Sequence, residues 1–352
     1  MTRTALITGL SGTSTTPAER AFLTRARPWG VILFARNVVD PAQVRALVDE
    51  VRGTVGDADM PVFIDQEGGR VQRLKPPIWS QYPAHAAIGA IHERDPAEGL
   101  EAAFLLGRLL GADLAALGID GDCDPCVDLS IPEAHAVIGD RAFSRHPGIV
   151  AALARAKRDG LHAAGVMTVM KHVPGHGRAR ADSHLELPVV DTPRAELEES
   201  DFAPFRALND TPMAMTAHVV YAAIDPREPA TTSARVIEDI VRRHIGFDGA
   251  LMSDDIGMKA LGGPFDERAR RAVAAGCDLV LHCSGDMAEM EAALAGTPVL
   301  DGAAARRCAA AIAGRRRTPA PFDRPAAEAR LAALLEGVGE GHRYRPAAPA
   351  LV

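Results

Sequence analysis

The chain has 352 residues, 47% of them hydrophobic and 24% charged, a composition that excludes fibrous and intrinsically disordered proteins. Its 46 acidic and 39 basic residues give a formal net charge of -7, and no Lys or Arg run is interleaved with aromatic residues, so nucleic acid is not an expected partner. No apolar stretch reaches the roughly 18 residues that cross a bilayer, and ALITGL is too brief for a signal peptide. We therefore expect a cytoplasmic protein without a membrane partner.

Eight short apolar segments are predicted to form β-strands. They lie at residues 5–10, 30–37, 61–67, 118–125, 166–172, 213–220, 249–255 and 277–283. The segments are apolar throughout, as expected for parallel strands that are covered on both faces. Amphipathic helix patterns lie between them, at residues 41–53, 97–118, 148–165, 233–246 and 265–276.

This alternation of strand and helix runs through about 285 residues without a linker rich in Pro, Gly or Ser. It favours a single α/β domain, a (β/α)₈ barrel of the TIM type, over a doubly wound sheet. We predict that residues 1–320 form this barrel and that residues 321–352 form a C-terminal helix and a polar tail outside it. The protein is expected to be a monomer.

Polar residues follow the predicted strands, at the rim where barrel enzymes build their active sites. They are Asn37, Asp65, Asp124, Lys171, His172, His218, Asp254 and His282. The five cysteines, an odd number, do not indicate a disulfide framework. A redox pair of Cys123 and Cys126 is an alternative to buried free thiols, which are the commoner case.

The segment DQEGGRVQRL, residues 65–74, places an acid, two glycines and two arginines after the third strand. Its spacing is neither a Walker loop nor a dinucleotide fingerprint, and we expect no cofactor. A sharp turn would aim Asp65 and Arg73 into a pocket, although Asp65 is equally suited to capping a turn. The segment VIGDRAFS adds Arg141 in a loop, where a lone arginine is commonly solvated.

The segment LMSDDIGM places Asp254 and Asp255 at the end of the seventh strand. Because successive side chains of a strand alternate between its faces, we expect only one of the two carboxylates to face the barrel mouth. An Asp at this place is also a common helix cap.

The segment KHVPGHGRARADSHLELP follows the fifth strand and carries three histidines. His172 and His176 are spaced like the ligands of a zinc-binding helix, but Pro174 and two glycines exclude a helix there. A non-helical metal site that adds Asp182 and His184 is an alternative. A phosphate cradle is disfavoured, because no helix begins immediately after the glycines.

General acid and base chemistry is the third interpretation of the same segment. Asp182 and His184 are two residues apart, so the carboxylate can orient one imidazole nitrogen while the other faces a substrate. Imidazole has an ordinary pKa of about 6.5, which suits a group that donates a proton and takes it back near neutral pH. Asp254 would then supply the nucleophile.

Taken together, GVILFARNV, DQEGGRVQRL, VIGDRAFS, KHVPGHGRARADSHLELP and LMSDDIGM resemble the single-domain bacterial β-N-acetylhexosaminidases of glycoside hydrolase family 3. The resemblance covers most of the barrel. It implies a retaining enzyme that removes terminal N-acetylglucosamine from cell-wall muropeptides without a metal ion. Val173 and Gly257 depart from the residues that are common in relatives, with no loss of a catalytic position.

The resemblance also implies the roles of individual residues. Asp254 matches the nucleophile, His184 the general acid/base, and Asp182 its orienting partner. The positions that hold the terminal sugar are matched by Asp65, Arg73, Arg141, Lys171 and His172. Three alternatives stay open at this point: a phosphorylase with the same fold, a non-catalytic amino-sugar-binding protein, and a metal-dependent hydrolase.

Overall fold

The computed structural model describes residues 2–132, 134–315, 318–339 and 344–347. Eight parallel strands form a closed barrel in which each strand pairs with its neighbours in chain order. They are β1 (Thr4–Gly9), β2 (Pro28–Leu33), β3 (Val62–Ile64), β4 (Gly121–Asp122), β5 (Met167–Val173), β6 (Met213–Thr216), β7 (Ala250–Asp255) and β8 (Leu279–His282). The predicted (β/α)₈ barrel is confirmed, and all eight predicted strands are present.

Two of the strands are much shorter than predicted. β3 ends at Ile64, and the chain then leaves the barrel as an antiparallel hairpin of Gln66–Gly68 with Val71–Gln72. The side chain of Gln66 closes this hairpin by accepting hydrogen bonds from two backbone N–H groups beyond it. β4 ends at Asp122, and Pro125, which has no N–H to donate, follows soon after it.

The α-helices that the structure describes surround the barrel. They are α1 (Pro17–Ala26), α2 (Pro41–Val55), α3 (His85–Arg94), α4 (Pro96–Ala115), α5 (Pro147–Ala163), α6 (Arg194–Glu199), α7 (Ala203–Ala207), α8 (Phe265–Ala275), α9 (Met287–Ala295), α10 (Gly302–Ala313) and α11 (Arg324–Leu334). The side chain of Asp40 caps α2 by accepting a hydrogen bond from the backbone of Gln43, as its place before Pro41 suggests.

The segment predicted as a helix over residues 233–246 differs from the other helices. Residues Val236–His244 form a π-helix, whose turn is wider than that of an α-helix. Its buried Val236, Ile237, Ile240 and Val241 lie on one side, so the amphipathic pattern is real. The pattern reports which face is buried and does not distinguish the two kinds of turn.

Apolar side chains fill the barrel interior, which makes it a packed core rather than a channel. Met167, Met213, Met215 and Met252 lie in this inner cluster together with Phe63. Helix α10 covers the end of the barrel where the strands begin, and its Cys308 and Ala311 pack into the same cluster. At the opposite end, where the strands finish, a cavity opens that is bordered by residues of several strand ends.

The C-terminal segments pack against the outside of the barrel. Helix α11 contributes Leu331 and Leu334 to the main hydrophobic cluster, and Arg324 pairs with Asp113 at 2.6 Å. Tyr344 lies against Tyr82, with 5.6 Å between the ring centroids. The division into residues 1–320 and 321–352 stays a prediction. Within the described ranges, every helix is too short or too polar to span a membrane.

Candidate active site

A cavity of about 490 Å³ opens at the carboxyl ends of the strands. Every site residue that the sequence predicts borders it: Asp65, Arg73, Arg141, Lys171, His172, Asp182, His184 and Asp254. These residues come from four separate segments of the chain. Closure of the barrel brings them together.

A cluster of alternating charges forms one wall of the cavity. The amine of Lys171 lies 2.8 Å from a carboxylate oxygen of Asp65 and 2.8 Å from one of Glu67. Arg141 binds Glu67 through two nitrogens, at 2.7 Å and 2.9 Å. Arg73 completes the cluster with a 3.1 Å contact to Asp65. Asp65 therefore joins the cluster and does not serve as a simple turn cap.

Burial and ion pairing shift the pKa values of this cluster in opposite directions, and ion pairing has the larger effect. Burial alone would raise the pKa of Asp65, but Lys171 and Arg73 outweigh it and lower that pKa to about 2. The pKa of Glu67 lies well below its ordinary value, because Arg141 and Lys171 overcome the same effect of burial. Burial would lower the pKa of Lys171, yet Asp65 and Glu67 raise it well above the usual range. All these groups are charged near neutral pH.

His172 is oriented by Asp128, which lies behind it. The Nδ1 atom of His172 is 2.7 Å from Asp128 Oδ2, and the backbone N–H of His176 donates to the other carboxylate oxygen at 2.6 Å. Burial would raise the pKa of Asp128, but His172 and His176 lower it to about 2. The Nδ1–H of His172 is thus committed to a carboxylate, which leaves Nε2 for the cavity side.

A second buried group of charges lies beneath the first. Lys157 contacts the carboxylate of Asp124 at 2.8 Å and the backbone oxygen of Glu67 at 2.7 Å. Its amine also lies 2.5 Å from Nε2 of His85, whose Nδ1 is 2.5 Å from the backbone oxygen of Arg141. Burial and the neighbouring Lys157 lower the pKa of His85, so it is neutral. These contacts hold the backbones of Glu67 and Arg141 under the cavity.

Asp254 lies at the end of β7, where its carboxylate accepts a hydrogen bond of 2.8 Å from the backbone N–H of Asp255. Burial would raise the pKa of Asp254, but the nearby His218 and His172 and the hydrogen bond from Asp255 hold it below its ordinary value. An ionised carboxylate at a cavity wall is a competent nucleophile.

Asp255 also borders the cavity, and the expectation that only one of the two carboxylates faces the mouth stays a prediction. The pairing register of β7 with β8 shifts between Met252 and Asp255. The two carboxylates still differ. Asp255 Oδ1 is occupied by the backbone N–H groups of Gly257 and Cys283, at 2.9 Å and 3.1 Å.

Asp182 and His184 form a pair on the loop that follows β5. Asp182 Oδ1 accepts hydrogen bonds from the backbone N–H of His184 at 2.9 Å and from its Nδ1 at 2.8 Å. Burial would raise the pKa of Asp182, but these contacts with His184 lower it. The side chain of His184 is 64% exposed, so this pair is in contact with solvent.

Two glycines precede this pair in the same loop. A Cβ atom on Gly177 would lie 2.3 Å from the backbone oxygen of Leu129, so this glycine permits close packing of two backbones. Gly175 has φ +142°, which other residues rarely adopt.

Among the described residues, the group of side chains with donors close enough to share a metal ion is Cys126, Asp128 and His172. These donors already bond to one another, with Asp128 Oδ2 3.3 Å from the thiol and 2.7 Å from the imidazole. The alternative metal site of His172, His176, Asp182 and His184 is not assembled. His176 bonds to Ser183, and His184 bonds to Asp182.

Sequence reasoning missed Glu67 and Asp128, which support the charged wall of the cavity and His172. Glu67 stands two residues after Asp65 in the same segment, and that spacing was a usable signal. No such signal marked Asp128, because it lies six residues beyond the end of β4 at Asp122. The rim residues Asn37, Asp124, His218 and His282 are fully buried and do not border the cavity.

The family model described as "Glycosyl hydrolase family 3 N terminal domain" matches residues 10–303. A protein named beta-hexosaminidase, from Alkalilimnicola ehrlichii, is 44% identical over 283 residues, which cover 79% of this chain and 80% of that protein.

The solved structures agree with the sequence comparison. Native NagZ from Neisseria gonorrhoeae has a TM-score of 0.84 and 34% identity, over 95% of this chain and 98% of that one. The same protein in complex with N-trifluoroacetyl-D-glucosamine has a TM-score of 0.84 and 34% identity, over 96% and 99% of the two chains. The chain therefore belongs to glycosyl hydrolase family 3, as its motifs predict, and is a glycoside hydrolase of the β-hexosaminidase type.

Proposed function

We propose that this hydrolase is a retaining exo-β-N-acetylglucosaminidase that removes terminal N-acetylglucosamine from muropeptides derived from peptidoglycan. It would act in the cytoplasm as a monomer, without a cofactor or a metal ion. The observation that carries the proposal is one cavity bordered both by the ionised Asp254 and by the hydrogen-bonded pair of Asp182 and His184.

The charged wall of the cavity supports the binding of a sugar. Carboxylates such as Asp65 accept hydrogen bonds from hydroxyl groups, while Lys171, Arg73 and Arg141 donate them. His172 borders the cavity, with Nδ1 bound to Asp128 and Nε2 3.5 Å from Arg141 Nη2. N-trifluoroacetyl-D-glucosamine is bound in a complex of the Neisseria gonorrhoeae relative, which supports an N-acylated glucosamine as the sugar.

The first chemical step forms a glycosyl enzyme. The carboxylate of Asp254 attacks the anomeric carbon, and the bond from that carbon to the leaving oxygen breaks. The protonated imidazole of His184 gives its Nε2 proton to the leaving oxygen. Asp182 keeps Nδ1–H oriented and stabilises the imidazolium that exists before this transfer.

The second step releases the sugar. Neutral His184 takes a proton from a water molecule, whose oxygen attacks the anomeric carbon and displaces Asp254. Two displacements at the same carbon restore the β configuration. The exposure of His184 supports this role, because the leaving group must depart and water must enter beside it.

The decisive experiment compares the purified protein on p-nitrophenyl N-acetyl-β-glucosaminide and on the corresponding glucoside. We expect turnover of the first, little turnover of the second, and initial release of the β-anomer in a proton NMR time course. Turnover of both at similar rates would contradict selection for the acetamido group. Initial release of the α-anomer would contradict the covalent mechanism.

Phosphorolysis is an alternative that the site leaves open, because a neutral histidine repels an incoming phosphate less than a carboxylate does. Running the same reaction in phosphate and in non-phosphate buffer separates the two. Sugar 1-phosphate in the phosphate buffer would establish phosphorolysis. The non-catalytic alternative is not retained, since the chain belongs to a hydrolase family. Undiminished activity after chelation would dismiss metal dependence.

The muropeptide assignment rests on the resemblance of the motifs and needs its own substrate. Incubation with N-acetylglucosaminyl-anhydro-N-acetylmuramyl peptides should release free N-acetylglucosamine, measured by liquid chromatography and mass spectrometry. Activity on the nitrophenyl glycoside without any on the muropeptide would keep the reaction and reject this substrate.

A further inference from the structure

The residue between the two members of the acid/base pair is buried, although the pair itself is exposed to solvent. The side chains of Asp182 and His184 are 23% and 64% exposed, whereas Ser183 between them is only 2% exposed. An exposed loop that buries one polar residue must satisfy that residue's hydrogen bonds. The partners of Ser183 therefore show what holds this loop in place.

Ser183 connects the loop to both chemical parts of the site. Its Oγ lies 3.0 Å from Nε2 of His176, and its backbone oxygen accepts a hydrogen bond of 3.2 Å from the N–H of Ala260. Ala260 belongs to the segment that follows the nucleophile Asp254 at the end of β7. One residue thus connects the proton donor to the segment that carries the nucleophile.

The His176 contact extends to the sugar-binding wall. The backbone N–H of His176 donates to Asp128, and the same carboxylate holds Nδ1 of His172. Burial, and to a smaller extent the neighbouring His172, lowers the pKa of His176 to about 4, so the ring is neutral near pH 7. His176 therefore offers Ser183 a constant hydrogen bond and takes no part in proton transfer.

We propose that Ser183 is the positioning residue of the acid/base pair. Its hydrogen bond to His176 holds Asp182 and His184 beside the leaving oxygen at a defined distance from Asp254. The inference rests on the proposed function and deepens it. A displacement of about 1 Å is sufficient to lower a rate about a hundredfold, so even a partial loss of this position is measurable.

The test uses the leaving group to separate positioning from folding. For Ser183→Ala we expect kcat/KM to fall about tenfold or more on an alkyl N-acetylglucosaminide, which needs a proton donor for bond cleavage. On the dinitrophenyl glycoside, which needs almost none, kcat/KM should stay within about twofold of wild type. The kcat on this second substrate should fall, since release of the sugar requires the general base.

Two further variants serve as controls. His176→Leu removes the same contact from the other side, because leucine has no hydrogen-bonding group, and should give the same dependence on the leaving group. Ser80→Ala removes a buried serine hydroxyl 3.2 Å from the hydroxyl of Tyr344 and outside the cavity, so both substrates should be unaffected. Thermal unfolding of each variant establishes that it is folded, and His176→Leu replaces Ser183→Ala if the latter does not fold.

Two results have distinct meanings. A ratio of the two kcat/KM values in Ser183→Ala equal to that of wild type, whether both values are unchanged or both fall equally, would overturn the positioning role alone if His184→Ala strongly alters the ratio. The reason is that a displaced proton donor slows the unactivated substrate and not the activated one. If His184→Ala leaves the ratio unchanged, the acid/base role of His184 itself fails.

Discussion

The two sides of the active-site cavity hold their functional groups in opposite ways. On the side that carries the charge cluster, the side chains of Lys171 and Glu67 are 3% and 2% exposed, and they contact each other directly. On the other side, His184 is 64% exposed and is held by a single carboxylate. Burial gives the first side fixed charges with strongly shifted pKa values. Exposure gives the second side access to water and room for a leaving group.

The two environments suit two different chemical roles, ligand binding and proton transfer. Groups that bind a sugar need a constant position and a constant charge, and a buried network of ion pairs provides both. A group that transfers protons must change its charge twice in each turnover, and deep burial would oppose that change. The following predictions, in order of decreasing effect, test whether the two sides are as different as their environments suggest.

The largest effect is expected at Asp254, between the two sides. Asp254→Asn removes the nucleophile, and we expect kcat/KM to fall by roughly 10⁴-fold or more, measured by steady-state kinetics. Asp255→Asn is the matched control, because Asp255 has an oxygen bound to backbone N–H groups and should lose far less activity. Comparable losses of kcat/KM in both variants would contradict the assignment of Asp254, and not Asp255, as the nucleophile.

On the exposed side, His184→Ala should lower kcat/KM on unactivated glycosides about 10²- to 10⁴-fold while preserving the first step on activated ones. Azide should restore turnover of an activated substrate, because it needs no general base to attack the glycosyl enzyme. His135→Ala is the control, since His135 is exposed at the same cavity. No rescue and no accumulated intermediate by mass spectrometry would argue against the role of His184.

On the buried side, stability should depend on which partner of Asp65 is removed. Lys171→Met leaves two buried carboxylates without their shared cation and should cost about 3–5 kcal/mol of unfolding free energy. Arg73 is 28% exposed and contacts the same Asp65, so Arg73→Met should cost about 1 kcal/mol or less. Urea denaturation measures both. Equal costs would mean that burial does not govern this cluster.

Acid should destabilise the buried side more than the exposed one. The pKa of Asp128 is about 2 in the folded protein, below the ordinary value of about 3.9, so its stabilisation is present above pH 4 and is lost as the pH falls towards 2. Its share is on the order of 2–3 kcal/mol. Denaturation at several pH values should show a weaker acid loss in Asp128→Asn than in wild type. Asp182→Asn should change that loss much less.

Many of the residues that border the cavity could be predicted from the sequence, because the ends of the strands can be recognised in it. An apolar run followed by Asp254, or by Lys171 and His172, predicts a side chain at the barrel rim. Closure of the barrel then brings these side chains to one cavity. The same rule was wrong at Asn37 and His282, which stand at strand ends but are buried, Asn37 against the backbone of Leu10 and His282 beside Glu289 of α9. A strand end places a residue near the rim without specifying the direction of its side chain.

The sequence by itself determined the eight strands, the barrel and which polar residues stand near its rim, because burial periodicity and strand ends are local properties of the chain. Only the tertiary structure decided that Asp128 would orient His172, that Glu67 would join Lys171 to Arg141, and that Ser183 would be buried between two exposed residues. Those contacts join residues far apart in the chain or depend on packing around a loop. Their energies come from exclusion of water, which exists only once the barrel has closed.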